Sequence, residues 1–503
     1  MGVRDDSDAD TIAQAIVFLA ARVYFVLMAW LTLFFAALTS LPASAIAQQT
    51  AAASSTSQDL LAGVVISKVV CSAHAEQSYA LYLPSNYTPG RRWPIVFVFD
   101  PLARGGVPVE LMKDAAERYG YIVAGSNNSQ NGPWKVEIEA AQAMSADTQG
   151  RLAVDTRRVY FAGLSGGARF AAALAQRCGC AAGVLLNSAG FTPPAAAVPD
   201  RSFSVFATAG TTDFNLGEVV EMDAKLREIH YFHAFREFDG PHEWAPASVM
   251  DEGLAWLRLM AMKSGREKID AAFVSGQIAV AQTRAKNLEI AGDVYGAWKE
   301  DRQAAETFDG LGDVAAFRER AAALEKEKAV RDGAKLERRE FDEQMRLSAD
   351  ISSGLQALAQ DSTNRVDVRN ELEREIAELR GRAEHEKNPR ELRVEQRALA
   401  GIFVEAIEAG NGRFDAKDNS LARTYFELAV DAQPDSVWAL NLLAIARAAD
   451  GDRKGTFEAL RRAREKSKDV AAFCAWLKDE PALAKFRDTP EFRALVAPTQ
   501  ETH

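Results

Sequence analysis

Apolar positions along the chain change their rhythm three times, and the changes divide it. From residue 63 to about 264 they come as short β-branched and aromatic runs alternating with amphipathic stretches of helical period. The runs at 64–70 and 78–83 lie close together and predict an opening hairpin, ending at Pro84-Ser85-Asn86-Tyr87 with a Pro89-Gly90 turn. The run at 95–99 is continuously apolar, as a strand covered on both faces has to be. Further strands are expected at 121–125, 159–162, 182–187, 202–209 and 231–238, with helices at 107–119, 136–153, 168–176, 218–227 and 243–262. Strands alternating with helices require crossover connections, so the expected fold class is α/β, a mostly parallel sheet with helices on both faces.

Beyond residue 264 the β-branched runs stop and Ala, Leu, Glu and Arg take over. Stretches 323–347 and 366–399 are dense in both charge signs, which predicts helices with solvated faces; coiled-coil pairing is a second reading. Near the end a period of 34 residues emerges. Ala406, Ala409, Gly410, Ala422, Phe426, Ala429 and Pro434 mark one unit; Leu440, Leu443, Ala444, Gly451, Thr456, Leu460 and Ala463 mark the next. The spacing resembles tetratricopeptide repeats, except that Arg447 stands where an aromatic is usual. Residues 471–496, with Trp476, Leu477, Phe486 and Phe492, suit a terminal cap. The all-α half is read as a charged helical region at 265–402 and TPR-like repeats with their cap at 403–503.

At the start, residues 23–41 are almost uninterrupted apolar sequence, preceded by Arg22 and followed by Pro42-Ala43-Ser44-Ala45-Ile46-Ala47. Residues 1–47 are read as a signal peptide cleaved after Ala45 or Ala47. The alternative is an uncleaved N-terminal membrane anchor, since 15–41 can span a bilayer if Arg22 snorkels. Asp5, Asp6, Asp8 and Asp10 are unusual before such a segment and suit an initiation site further downstream. A polar Ala/Ser/Thr/Gln linker at 48–62 leads into the α/β domain at 63–264. Either fate exports the folded part, so a periplasmic or secreted location is expected.

A chain of 503 residues exceeds one ordinary domain. Its net charge of -11, without a Lys/Arg stripe, argues against nucleic acid or an anionic membrane surface as partner. Export permits disulfides among Cys71, Cys178, Cys180 and Cys474. Cys178 and Cys180 are expected to be too close for an easy mutual bridge, and a bridge from Cys71 to one of them stays open. The six histidines are scattered, so neither a metal nor a cofactor is expected.

The chemistry centres on Gly163-Leu164-Ser165-Gly166-Gly167, set between the strand at 159–162 and a small-residue helix. This is a G-x-S-x-G elbow in its required context; the strained turn leaves no room for side chains two residues either side of the serine. Otherwise it is a glycine-rich turn whose serine caps a helix. A serine hydroxyl needs a base, and the base an orienting carboxylate, in the chain order Ser, acid, His. Asp213, directly after the strand at 202–209, is the acid candidate, with Glu218 and Glu221 behind it. Of the later histidines His230 and His233 flank or enter a strand, His385 is in a charged helix and His503 ends the chain; His242 alone sits in a strand-to-helix loop. The oxyanion needs two backbone donors: the Gly166 N–H, and one from the loop after 95–99, where Pro101 leaves Leu102 or Ala103.

Gly163-Leu164-Ser165-Gly166-Gly167, Gly210-Thr211-Thr212-Asp213-Phe214, Gly240-Pro241-His242-Glu243-Trp244 and the Tyr82-Leu83-Pro84 strand end together resemble the α/β-hydrolase superfamily. The likeness covers about residues 76 to 262 and is nearest to bacterial esterases of the feruloyl esterase, polyhydroxybutyrate depolymerase and dienelactone hydrolase kind. It implies Ser165 as nucleophile, His242 as base and Asp213 as acid, acting on a small-molecule or polymer-borne ester. Many relatives have His-Gly where this chain has Asp100-Pro101, which puts the second oxyanion donor in question. Trp134, Phe191, Phe214 and Trp244 are expected near the mouth, as pocket lining or as packing. The expected function is an exported serine esterase whose helical repeats dock a protein partner. Alternatives are a serine peptidase on the same fold and an inactive hydrolase-like binding protein.

Overall fold

In a computed structural model describing residues 60–191, 202–360 and 364–497, eight strands form one sheet in the order β1-β2-β4-β3-β5-β6-β7-β8. The expected segment 1–47 and nearly all of the linker lie outside the described residues. Strands β1 (Val65–Cys71) and β2 (His74–Tyr82) make the opening antiparallel hairpin, and β2 pairs antiparallel with β4 (Ile122–Ser126). From there β3 (Trp93–Phe99), β5 (Val154–Leu164), β6 (Ala181–Asn187), β7 (Ser204–Gly210) and β8 (His233–Phe238) are parallel. This is the sheet of the α/β-hydrolase fold, and every strand expected from the sequence is present to within a few residues.

The wholly buried β3 shows why its run had to be continuous. Ile95, Phe97 and Phe99 enter the core on one face, Val96 and Val98 that on the other. The first face is covered by α2 (Trp134–Arg151), α3 (Gly166–Cys178) and α4 (Leu216–Glu228) through Met144, Phe170 and Met222. The second is covered by α1 (Gly106–Tyr119) and α5 (Ala247–Lys263) through Met112 and Leu254. This second core does not end at residue 264. It continues through Val274 of α6 (Ala271–Ile290), Phe308 of α7 (Val294–Phe308) and Phe317 of α8 (Ala315–Leu324).

The remaining helices have a core of their own. They are α9 (Lys328–Gln360), α10 (Arg365–His385), α11 (Pro389–Asp415), α12 (Asn419–Ala432), α13 (Val437–Ala449), α14 (Arg453–Lys466), α15 (Val470–Asp479) and α16 (Pro490–Val496), with a 3-10 turn at Pro481–Phe486. The period-34 positions Ala406, Ala422, Phe426, Leu440, Leu460 and Ala463 are all buried in it. Gly410 lies so close to the Phe426 ring that an added methyl would collide with it. Arg447, the odd position, reaches Glu427 at 3.0 Å and the Gly455 carbonyl at 3.1 Å. The described residues form one compact unit, and among them no helix is long and apolar enough to cross a membrane.

One cysteine expectation fails: Cys178 and Cys180 are bonded to each other. Gly179 takes a left-handed conformation (φ 60°) and folds the chain back until their Cα atoms are 5.1 Å apart, inside the ordinary range for a bridge. Cys71 is free and buried in the core on the α2–α3–α4 face of the sheet, which closes the other pairing.

Candidate active site

Ser165 stands between the last residue of β5 and the first of α3 at φ 54°, ψ −121°, a conformation a residue with a side chain adopts only under constraint. Glycines make the turn possible. A Cβ on Gly163 would overlap the Gly167 carbonyl, and one on Gly167 the Phe99 carbonyl. The Ser165 N–H donates to the Asn187 carbonyl at 2.9 Å, while its own carbonyl accepts from Ala168 (3.0 Å) and Arg169 (3.1 Å). The side chain is left half-buried at the carboxyl edge of the sheet.

Asp213 follows β7 and is fully buried. Its Oδ1 accepts from His242 Nδ1 at 2.8 Å and from the Asn215 N–H at 2.8 Å. His242 follows β8, and the two loops are laced by Thr211 N–H to Phe238 O (2.8 Å) and Thr212 N–H to Gly240 O (3.0 Å). They approach this closely because Gly210 has no Cβ to strike the Gly240 and Pro241 carbonyls. The Phe214 ring lies over the imidazole at 4.3 Å. With Nδ1 held by the carboxylate, Nε2 is the ring nitrogen left for chemistry.

Asn187 at the end of β6 ties these loops to the elbow. Its carbonyl holds the Ser165 N–H, and its Oδ1 accepts from Ala245 N–H (3.4 Å), three residues past His242, and from Thr208 Oγ1 (2.7 Å). Since β5, β6, β7 and β8 are parallel, Ser165, Asp213 and His242 all leave the sheet at the same edge. The other candidates are engaged elsewhere. Glu218 pairs with Arg169 at 2.5 Å and accepts from Gly190 N–H, and Glu221 pairs with Lys225 at 2.6 Å. His233 is buried between the Tyr231 carbonyl (2.8 Å) and Asp223 (3.1 Å).

Leu102 does not fit its expected part. Its N–H is committed to Asp100 Oδ1 at 2.9 Å, because the carboxylate folds back over the turn that Pro101 begins. Asp100 is fully buried and also takes Arg104 through both oxygens (3.0 Å each) and the Trp244 indole N–H at 2.8 Å. Burial alone pushes this carboxyl up, but Arg104, Trp244 and Leu102 more than offset it and hold it below the ordinary aspartate range. Asp100 therefore fastens the β3 loop to Trp244, two residues from His242.

A carboxyl held low contributes stability that is full above the unfolded pKa near 3.9 and fades as pH falls through its folded value. Asp100→Ala strands the Trp244 and Leu102 donors, and is expected to cost about 3 kcal/mol at pH 7. In urea denaturation the gap between parent and variant narrows at pH 3; an equal gap at both pH values refutes the role.

Near Gly166, Asn131 occupies the space that a side chain there would need: a Cβ on Gly166 would collide with Asn131 Oδ1. Its loop is placed by Asn131 N–H to Pro101 O (2.9 Å). Of the aromatics expected at the mouth, Phe214 covers His242, and Trp134 is 41% exposed with its edge against Phe170. Phe191 and Trp244 are buried packing residues.

The helical half also reaches this edge. Gln344 of α9 and Arg397 of α11 donate to the Phe214 and Thr211 carbonyls, at 2.8 and 2.9 Å. Glu408 of α11 feels the charges of both Arg169 and His242, although withdrawal from bulk water is the larger influence and pushes its carboxyl up. Sequence reasoning missed Asn187, Asn131, Gln344, Arg397 and Glu408 as contributors, and marked Asp100 only as a departure that puts the second oxyanion donor in question. For Asn131 the sequence does carry a signal: residues 126–134 make a long polar loop at a strand end.

No family model matches the chain, and no curated protein matches it. Among solved structures it is similar to a ferulic acid esterase (18% identity, TM-score 0.34, 40% of this chain and 100% of that one). It is also similar to an S-formylglutathione hydrolase from Staphylococcus aureus (12%, 0.30, 36% and 90%). A third is an esterase from Mycobacterium marinum (18%, 0.31, 39% and 82%).

Proposed function

We propose that the chain is a serine hydrolase that cleaves carboxylic esters through an acyl-enzyme, with Ser165 as nucleophile, His242 as base and Asp213 as acid. One observation carries the reading: the 2.8 Å contact of His242 Nδ1 with buried Asp213, at the sheet edge where Ser165 occupies its strained elbow. Ser165 Oγ attacks the ester carbonyl as His242 Nε2 takes its proton. The imidazolium, steadied by Asp213, then returns the proton to the leaving alkoxide. Water then attacks the acyl carbonyl as His242 Nε2 takes its proton, and when the bond from that carbon to Ser165 Oγ breaks the proton passes to Oγ and the acid leaves. An ester suits this site better than an amide because an alcohol leaves more readily than an amine and asks less of the general acid.

Charge developing on the carbonyl oxygen meets the Gly166 N–H at the positive end of α3. With the Leu102 N–H spent on Asp100 Oδ1 and the Ala103 N–H on the Asp100 carbonyl (3.2 Å), the second donor in this reading is the Asn131 side-chain amide, whose two ends exchange by rotation about χ2. Asn131→Ala is expected to lower kcat with 4-nitrophenyl acetate by about 100-fold, with KM little changed. A kcat equal to the parent's rules Asn131 out as a donor.

The same occupied Leu102 N–H favours a second reading, a hydrolase-like protein that binds without turnover. Labelling by a fluorophosphonate probe, with Ser165→Ala as control, separates the two: the esterase labels only through Ser165, the binding protein not at all. Matched ester and amide substrates test the peptidase alternative. Export to the periplasm or medium, the expected division into domains, and docking of a protein partner by the TPR-like helices, on which Trp438 of α13 is 46% exposed, stand as parts of the same proposal.

A further inference from the structure

The loop that carries Asp213 is held from outside the hydrolase sheet. Arg397 sends Nη1 to the Thr211 carbonyl at 2.9 Å and Nε to Gln344 Oε1 at 2.9 Å; Gln344 sends Nε2 to the Phe214 carbonyl at 2.8 Å. A guanidinium only donates, so it fixes which end of the Gln344 amide faces it and leaves the NH2 for Phe214. The two carbonyls bracket Asp213, two residues before it and one after. On the same side α11 passes the loop at Gly401, where a Cβ would lie 3.6 Å from Phe214 Cβ. Phe214 in turn covers His242.

Arg397 is 3% exposed, and its nearest carboxylate, Glu340, is 3.7 Å away. Arg393 and Glu237 also face it, and burial draws its guanidinium below the usual arginine range. A buried arginine so loosely paired is a poor stabiliser, since apolar replacements at such sites are often tolerated. What it does hold is the carbonyl side of one catalytic loop.

We propose that Arg397 and Gln344 are positioning residues for the catalytic acid, so that the helical half completes the active site as well as following it in the chain. The inference rests on the assignment of Asp213 as acid. A carboxylate displaced by a fraction of an ångström supports the His242 imidazolium less well. The acid limb of kcat/KM then moves to lower pH.

The test uses the full chain, with active sites counted by fluorophosphonate titration and turnover of 4-nitrophenyl acetate expressed per titrated site. Arg397→Met and Gln344→Leu are each expected to lower kcat per site about 10-fold or more and to shift the acid limb downward. Arg397→Lys, which still reaches Thr211 but cannot orient Gln344 as well, recovers part of the loss. If these variants lower only the number of titratable sites or the melting temperature, with kcat per site and the acid limb as in the parent, the role is purely structural and the inference fails. Should Arg397→Met not fold, Gln344→Leu and Arg397→Lys decide by the same readouts. Asp213→Asn runs alongside. If it behaves as the parent, the acid assignment falls and this inference with it; if it alone is impaired, only the inference falls.

Discussion

Ser165→Ala leaves the protein folded, unlabelled by fluorophosphonate, and slower on 4-nitrophenyl acetate by about 10⁴- to 10⁶-fold. The expectation is large because the substitution removes the attacking oxygen itself. Alanine accepts the same strained backbone with little change in volume, so the elbow and its hydrogen bonds to Asn187, Ala168 and Arg169 persist. The residual rate reports what the oxyanion donors and binding supply alone. His242→Ala falls into the same range, because the two act as a unit and losing either stops the same proton transfer. A Ser165→Ala protein that still labels ends the catalytic reading.

Asp213→Asn is expected to reduce kcat by about 10⁴-fold. The carboxylate accepts the Nδ1 proton of His242 and the Asn215 N–H through one oxygen. An amide in its place can turn its NH2 toward Nδ1, which moves the ring proton to Nε2 and leaves no lone pair to receive the serine proton. Asp213→Glu makes a useful contrast: it keeps the charge, but its longer arm has to fit a fully buried site. A kcat for Asp213→Asn within 10-fold of the parent's shows that the 2.8 Å contact is structural only.

What could be read from the sequence follows from how local each constraint is. The elbow was legible because Gly163 is demanded by the Gly167 carbonyl four residues on and the strand-to-helix switch around it is periodic, whereas the demand on Gly167 comes from the distant Phe99 carbonyl and showed only through the motif. Asp213 and His242 were legible through chain order, since parallel strands deliver successive loops to one edge. The Cys178–Cys180 bridge was not, because it turns on the backbone angle of Gly179, which separation in sequence conceals. Leu102 was misread because a side chain two residues earlier takes its N–H, a competition invisible until Asp100 is seen to be buried. The helical half showed its solvated faces and its period of 34, but nothing in either marked Arg397 and Gln344 among many similar charged and amide residues. Their meaning depends on which surface the helix bundle lies against.

The hydrogen bond from Arg397 to Thr211 joins residues 186 positions apart. During synthesis the strands, the elbow and the loops of Asp213 and His242 are all present once residue 264 has emerged, yet the roughly 130 residues up to Arg397 take about 7 to 27 s more to appear. In that interval the nascent chain carries the proposed nucleophile and acid, but the acid has no brace. If the brace matters as proposed, the enzyme is born quiet, and a chain cut anywhere between α5 and α11 remains so.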